Sequence, residues 1–190
     1  MSVALTPSQT VGPFFEIGLL PDPANVIAQP GIRGERIRIE GRLLDGDGAG
    51  VPDGMVEVWQ ADEQGRYRHP ADRRGEQVEE GFTGFGRSGT DDDGAFWFET
   101  IKPGAVPSPS GGRQAPHLNL CVFARGLLDH LVTRVYFDDE GNDTDEVLRS
   151  VAEHRRSTLV ATRTSTDGST LYRFDIVLQG EGETVFFDPR

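Results

Sequence analysis

The sequence predicts an all-β fold, a sandwich of short strands, and three observations lead there. Glycine and proline, 24 and 12 of them in 190 residues, interrupt the chain at short intervals. Between them lie seven short runs rich in β-branched and aromatic residues. Where a run is long enough to read, apolar and polar residues alternate with the period of a half-buried strand. The length suits one domain whose core folds without disulfides or metal.

Residues 1–34 are rich in proline and poor in periodicity, and they read as an extended arm, because proline fixes φ and removes a backbone donor. An arm of this length is expected to pack on a partner. The core begins at residue 35, and residues 35–190 read as one domain. In ERIRIEGRLL, Ile37, Ile39 and Leu43 share one face of a strand. DGDGAG supplies a turn, and MVEVWQ, GAFWFET, HLNLCVFA, TRVYF, TLVATRT and TLYRFDIVLQ follow as further strands. The breaks DEQG after Ala61, DDDG at Asp91 and TDG at Thr166 are Asp- and Gly-rich, as turns with positive φ require. One short helix is predicted after residue 142. Asp143 or Thr144 caps it, Asp145 and Glu146 suit its positive end, and Val147, Leu148 and Val151 share its apolar face. The polar stretch from Gln60 to Thr90 reads as a long surface excursion of the kind that carries function. Trp59, Trp97 and Cys121 read as core residues.

The net charge of −12, from 31 acidic and 19 basic residues, repels phosphate backbones and anionic headgroups, so nucleic acid and membrane surfaces are excluded as partners. A small anionic substrate must then be held by a local arginine. One cysteine forms no internal bridge and builds no thiolate cage, which suits a reducing compartment. The opening MSVALTPSQT lacks the basic and apolar regions of a signal peptide, and no run has the length to span a bilayer. A cytoplasmic protein is expected.

Several segments, in order, resemble the intradiol ring-cleavage dioxygenases over nearly the whole chain: TPSQTVGPFF, GRLLDGDGAGVPDGMVEVWQADEQGRYRH, TDDDGAFWFETIKPG, APHLNL, TRVYFDDE and YRFDIVLQGEGETVFFD. QGEGETVFF and APHLNL followed by FARG resemble the iron-free, alpha-type chains of this family in particular. The resemblance implies a transthyretin-like β-sandwich that pairs with an iron-bearing, beta-type chain. It implies a catechol carrying a carboxylate, protocatechuate, and O2 as substrates of the pair. In iron-bearing members two Tyr and two His hold Fe(III), a set that suits a trivalent ion because phenolate oxygens are anionic donors.

Carried onto this sequence, the four positions are Tyr67, Val106, His117 and Asn119. Val has no donor atom and an Asn amide does not replace imidazole. Two donors of four remain, and the expectation is that this chain binds no iron, Fe(III) residing in the partner, and that Tyr67 and His117 fill a vestigial pocket. His117 and Asn119, two apart on a strand, would project from one face about 7 Å apart. His69 offers a third donor to a remodelled site, but in a polar loop it reads as solvated, as do His130 and His154. What the resemblance leaves to this chain is part of the wall of the partner's substrate site. Thr10, Gly12 and Pro13 form a slim, rigid backbone segment beside a planar ring, and Arg134 pairs with the ring carboxylate. Without the resemblance, Arg134 reads as an outward residue paired with Asp138 or Asp139. Two further readings stay open: a self-sufficient metal site on Tyr67, His117 and His69, and a non-enzymatic β-sandwich binding module.

Overall fold

The computed structural model describes residues 6–12, 14–166 and 169–188. Its strands are β1 (Arg36–Leu44), β2 (Met55–Gln60), β3 (Phe85–Gly89), β4 (Ala95–Ile101), β5 (Val106–Pro107), β6 (Arg113–Gln114), β7 (His117–Phe123), β8 (Leu131–Phe137), β9 (Val160–Thr166), β10 (Ser169–Arg173) and β11 (Ile176–Val177). Two short helices, α1 (Phe14–Leu19) and α2 (Glu146–Ser150), complete the regular structure with three 3₁₀ turns.

The strands form two layers. β3, β2, β7 and β8 are antiparallel neighbours in one, and β9, β10, β1 and β4 follow in the other, with β10 and β11 both parallel to β1. The layers join where β8 runs parallel to β9, through Tyr136 opposite Val160 and Phe137 opposite Ala161. On the far side β3 and β4 come together, the Trp97 amide donating to Ser88 Oγ at 3.2 Å. The sheet is therefore nearly closed into a barrel.

Alternation builds the interior. Ile37, Ile39 and Leu43 from β1, Phe96 and Phe98 from β4, Val56 and Val58 from β2, Leu118, Leu120 and Val122 from β7, and Val135 and Phe137 from β8 meet in one buried cluster. Each such side chain contributes roughly 1.5–3 kcal/mol by leaving water. Gln60 crosses this interior fully buried. Its Nε2 donates to the Ile101 and Ala61 carbonyls at 3.0 Å, and its Oε1 accepts from Thr100 Oγ1 at 2.7 Å, so one satisfied amide ties β2 to β4.

Several expectations need correction. Among the described residues there are two α-helices where one was predicted, α1 lying inside the supposed arm. The last part of that arm belongs to this chain's own core: Ile27 and Ala28 are buried, with bridges from Val26 to Glu99 and from Ala28 to Phe82. β3 runs through the stretch read as a surface excursion. Its FGRSG sequence carries little β signal and is held by five register pairs with β2, from Met55 opposite Gly89 to Trp59 opposite Phe85. TLYRFDIVLQ is two strands, β10 and β11, separated at Phe174 and Asp175, where the Phe174 carbonyl passes so close to Gly41 that a Cβ there would lie 1.7 Å from it. Trp59, Trp97 and Cys121 are half-buried on outer faces, Trp97 beneath the Arg38 guanidinium at 4.1 Å. The residues Asp167 and Gly168 of the TDG turn lie outside the described residues.

The cap of α2 is Asp145 rather than Asp143 or Thr144, which form a 3₁₀ turn instead. Asp145 is fully buried and its two oxygens accept four hydrogen bonds: from the Val147 and Leu148 amides at 2.9 Å, from the Ala115 amide at 2.8 Å and from Tyr136 Oη at 2.9 Å. One carboxylate thus fixes the helix to the entry of β7. Asp145→Ala leaves these donors unmatched and is expected to destabilise the chain by about 2 kcal/mol, read as a lower urea midpoint.

Candidate functional site

The site begins with a turn. Asp62 and Arg66, both buried, pair at 2.6 Å, and Asp62 Oδ1 also accepts from the Gln64 and Arg66 amides at 2.9 Å. Gly65 completes the turn at φ 72°, and a Cβ on it would lie 2.0 Å from the Ala105 carbonyl. Backbone contact at this glycine sets Tyr67, two residues on, beside the strand that carries Val106. Asp72 then closes the following loop, accepting from the Tyr67 amide at 3.0 Å and the Arg74 amide at 2.9 Å.

The odd-numbered residues of β7 supply the floor. His117 and Asn119 project from the outer face, as their spacing predicts, with Tyr136 and Arg134 opposite them on β8 and Trp59 opposite Asn119 on β2. Asn119 Nδ2 donates to Tyr67 Oη and to the Trp59 carbonyl, each at 3.3 Å. Tyr67 stacks on Trp59 with ring centroids 5.7 Å apart and planes 13° from parallel. Arg134 Nη1 donates to Gln114 Oε1 at 3.0 Å, and Gln114 pairs in register with buried Val106. The four positions singled out in sequence therefore come together around Arg134.

This cation is the dominant electrostatic feature. Burial pushes the Tyr67 phenol above its ordinary pKa, against the Asn119 hydrogen bond and the nearby Arg134 charge, so the ring stays neutral at physiological pH. Tyr136 is raised further, by burial first, although Arg134 opposes it. Burial and then Arg134 lower His117 to about 4. His117 is 2% exposed, its Nδ1 is 2.7 Å from the Ala115 carbonyl, and the neutral ring donates there.

Arg134 makes no ion pair with a carboxylate among the described residues. Its alternative partners are engaged elsewhere: Asp139 binds Lys102 and Arg163, and Asp138 accepts from the Arg163 amide. A half-buried guanidinium with unmatched donors is thus presented by a strongly acidic chain.

Because His117 has a pKa near 6.5 when unfolded and about 4 when folded, only the unfolded chain takes up its proton between those values. Stability from this residue is complete above pH 6.5 and is lost as pH falls toward 4. Urea unfolding at about pH 7.5 and about pH 5 is expected to differ by about 2 kcal/mol on this account. His117→Gln should remove that part of the slope.

Thr10 and Gly12 lie further along the same layer. Thr10 Oγ1 accepts from the Gly126 amide at 2.8 Å in the turn after β7, and the Gly12 carbonyl accepts from the Phe15 amide at 3.1 Å. Phe15 packs on Phe123 at 5.4 Å. Pro13 lies outside the described residues. His69 is exposed, with its ring edge toward Trp59 at 6.2 Å, and His130 stacks on Phe123 at 5.5 Å. Among the described residues no group of three or more His, Cys, Asp or Glu is placed to hold a metal. Sequence reasoning missed Trp59 as a wall of the site, although it shares parity with Glu57 and not with Val56 and Val58. It also missed Gln114, for which no local signal exists.

Trp59, Tyr67, His69, Val106 and Pro107, with the loop from Ala71 to Arg74, enclose an open cavity of about 870 Å³.

A family model described as Dioxygenase matches residues 21–180. The chain is 45% identical to a protocatechuate 3,4-dioxygenase alpha chain from Pseudomonas putida, over 96% of each chain. It is 38% identical to a protocatechuate 3,4-dioxygenase beta chain from Burkholderia cepacia, over 80% of this chain and 67% of that one. In fold it is similar to a catechol 1,2-dioxygenase from Acinetobacter sp. ADP1, solved with bound mercury, with a TM-score of 0.66 at 22% identity over 87% of this chain and 60% of that structure. No helix among the described residues is long and apolar enough to cross a membrane.

Proposed function

Because the chain belongs to the intradiol ring-cleavage dioxygenase family, we propose that it serves as the alpha chain of a protocatechuate 3,4-dioxygenase. Its partner is an iron-bearing beta chain, and the pair opens protocatechuate with O2 between the two hydroxyl-bearing carbons, giving 3-carboxy-cis,cis-muconate. The observation that carries this reading is similarity to the alpha-chain relative along nearly all of both sequences, whereas the beta-chain match covers only part of each.

Ferric iron does not suit the residues present here, and it resides in the partner. Val106 offers no donor, the Asn119 amide is spent as a donor to Tyr67, the phenol is held neutral, and Arg134 opposes a trivalent cation. This chain contributes Arg134 as counter-ion to the substrate carboxylate, and Thr10, Gly12 and Pro13 as part of the wall around the ring. The N-terminal arm packs on the partner, the fold is of the transthyretin-like sandwich kind, and the lone Cys121 suits the reducing cytoplasm.

The test is iron content and the visible spectrum, for this chain alone and after co-expression with a beta-type chain. A colourless single chain and a red-brown complex that cleaves protocatechuate are expected. Stoichiometric ferric iron in the isolated chain would overturn the assignment.

A further inference from the structure

The chain's own cavity has features that its place beside an iron-bearing partner does not explain. Its lining includes Trp59 and Tyr67, which stack on each other with ring centroids 5.7 Å apart and form one aromatic block, and Val106 and Pro107. This is the lining that holds a planar apolar ring, and its volume of about 870 Å³ falls within the range of small-molecule sites. The polar groups are few. Tyr67 Oη accepts from Asn119, which leaves its own hydrogen to donate.

The charge at the rim has a definite sign. Asp72 is compensated within its own loop by Arg74, at 3.1 Å, and by two backbone amides. Arg73 also lines the cavity, is exposed, and has no ion-pair partner among the described residues. The rim formed by Asp72, Arg73 and Arg74 thus carries one net positive charge in a chain of net charge −12. A general anion attractor is absent here, so a local cation beside stacked rings selects a ligand that combines both properties.

We propose that this cavity binds a planar aromatic carboxylate without a metal, the ring packing against the block formed by stacked Trp59 and Tyr67, the phenol donating a hydrogen bond, and Arg73 pairing with the carboxylate. The inference concerns residues other than Arg134, so its failure leaves the alpha-chain assignment untouched.

The test uses the complex and labelled 4-hydroxybenzoate in equilibrium dialysis. This probe has the ring and the carboxylate but lacks the vicinal diol of a catechol. The wild-type complex is expected to bind two equivalents per chain pair, only one of which perturbs the visible absorption of the ferric partner. Arg73→Glu, a surface change, should weaken the spectroscopically silent equivalent at least about tenfold, since it reverses the charge that meets the carboxylate. Val106→Trp should abolish it by filling the cavity. A single equivalent in the wild type, or a silent equivalent unaffected by Arg73→Glu, overturns the proposal even where Val106→Trp fails to fold.

Discussion

Arg134→Ala, introduced into the chain pair, is expected to raise KM for protocatechuate on the order of 100-fold while leaving iron content unchanged. The magnitude is that of a charge-assisted bond lost from a sheltered site, about 2–3 kcal/mol. Three observations favour an anion as the partner of this guanidinium. It is half-buried, it has Gln114 as a neutral neighbour, and of the two carboxylates that the sequence offered, Asp139 is bound to Lys102 and Arg163 and Asp138 accepts from the Arg163 amide. Arg134→Lys is expected to recover only part of the loss, because an ammonium does not reproduce the two parallel bonds of a guanidinium. Steady-state kinetics with protocatechuate, and with catechol as the substrate lacking the carboxylate, separate the two roles. The variant should lose the preference for protocatechuate. Unaltered kinetics would remove Arg134 from the substrate site.

The second large effect concerns the metal. Val106→Tyr with Asn119→His restores the four donor types, yet the pair of changes alone is expected to take up little ferric iron. The obstacle is Arg134 on the neighbouring strand, which, after burial, is the second cause that holds His117 neutral. A trivalent ion in the same space meets a fixed positive charge with little water between them, and the repulsion amounts to several kcal/mol. Adding Arg134→Gln should convert a colourless protein into one that binds close to one ferric ion per chain, with the visible band of tyrosinate coordination. Iron analysis and absorption spectra of the double and triple variants decide it. Stoichiometric iron in the double variant would show that Arg134 does not set the barrier.

Much of the fold was legible because alternation in strands such as RIRIEGRLL and HLNLCVF reports directly which side chains face inward. The errors had local causes. FGRSG has two glycines and a half-buried arginine, so its strand state comes from pairing with β2 rather than from its own propensity. Trp59 and Trp97 were assigned to the core by residue type, although parity with Glu57 and Glu99 put them on the outer faces. The cap of α2 moved by one residue because a carboxylate at Asp145 meets Tyr136 and Ala115, distant in sequence, as well as the helix. Of the site, Tyr67, Val106, His117 and Asn119 were found through family resemblance, and the structure gathers them. Gln114 was beyond reach, since its importance depends on Arg134 arriving from another strand.

The parity of β7 divides the labour of one strand between two faces. Leu118, Leu120 and Val122 hold the barrel together, while His117, Asn119 and Cys121 look the other way. Changes at Asn119 therefore alter what this face presents while leaving the inward-facing residues of the same strand in place. Chemistry and architecture are thus assigned to alternate positions of one strand, so that substitutions at one parity report on the outer face and substitutions at the other on the integrity of the barrel.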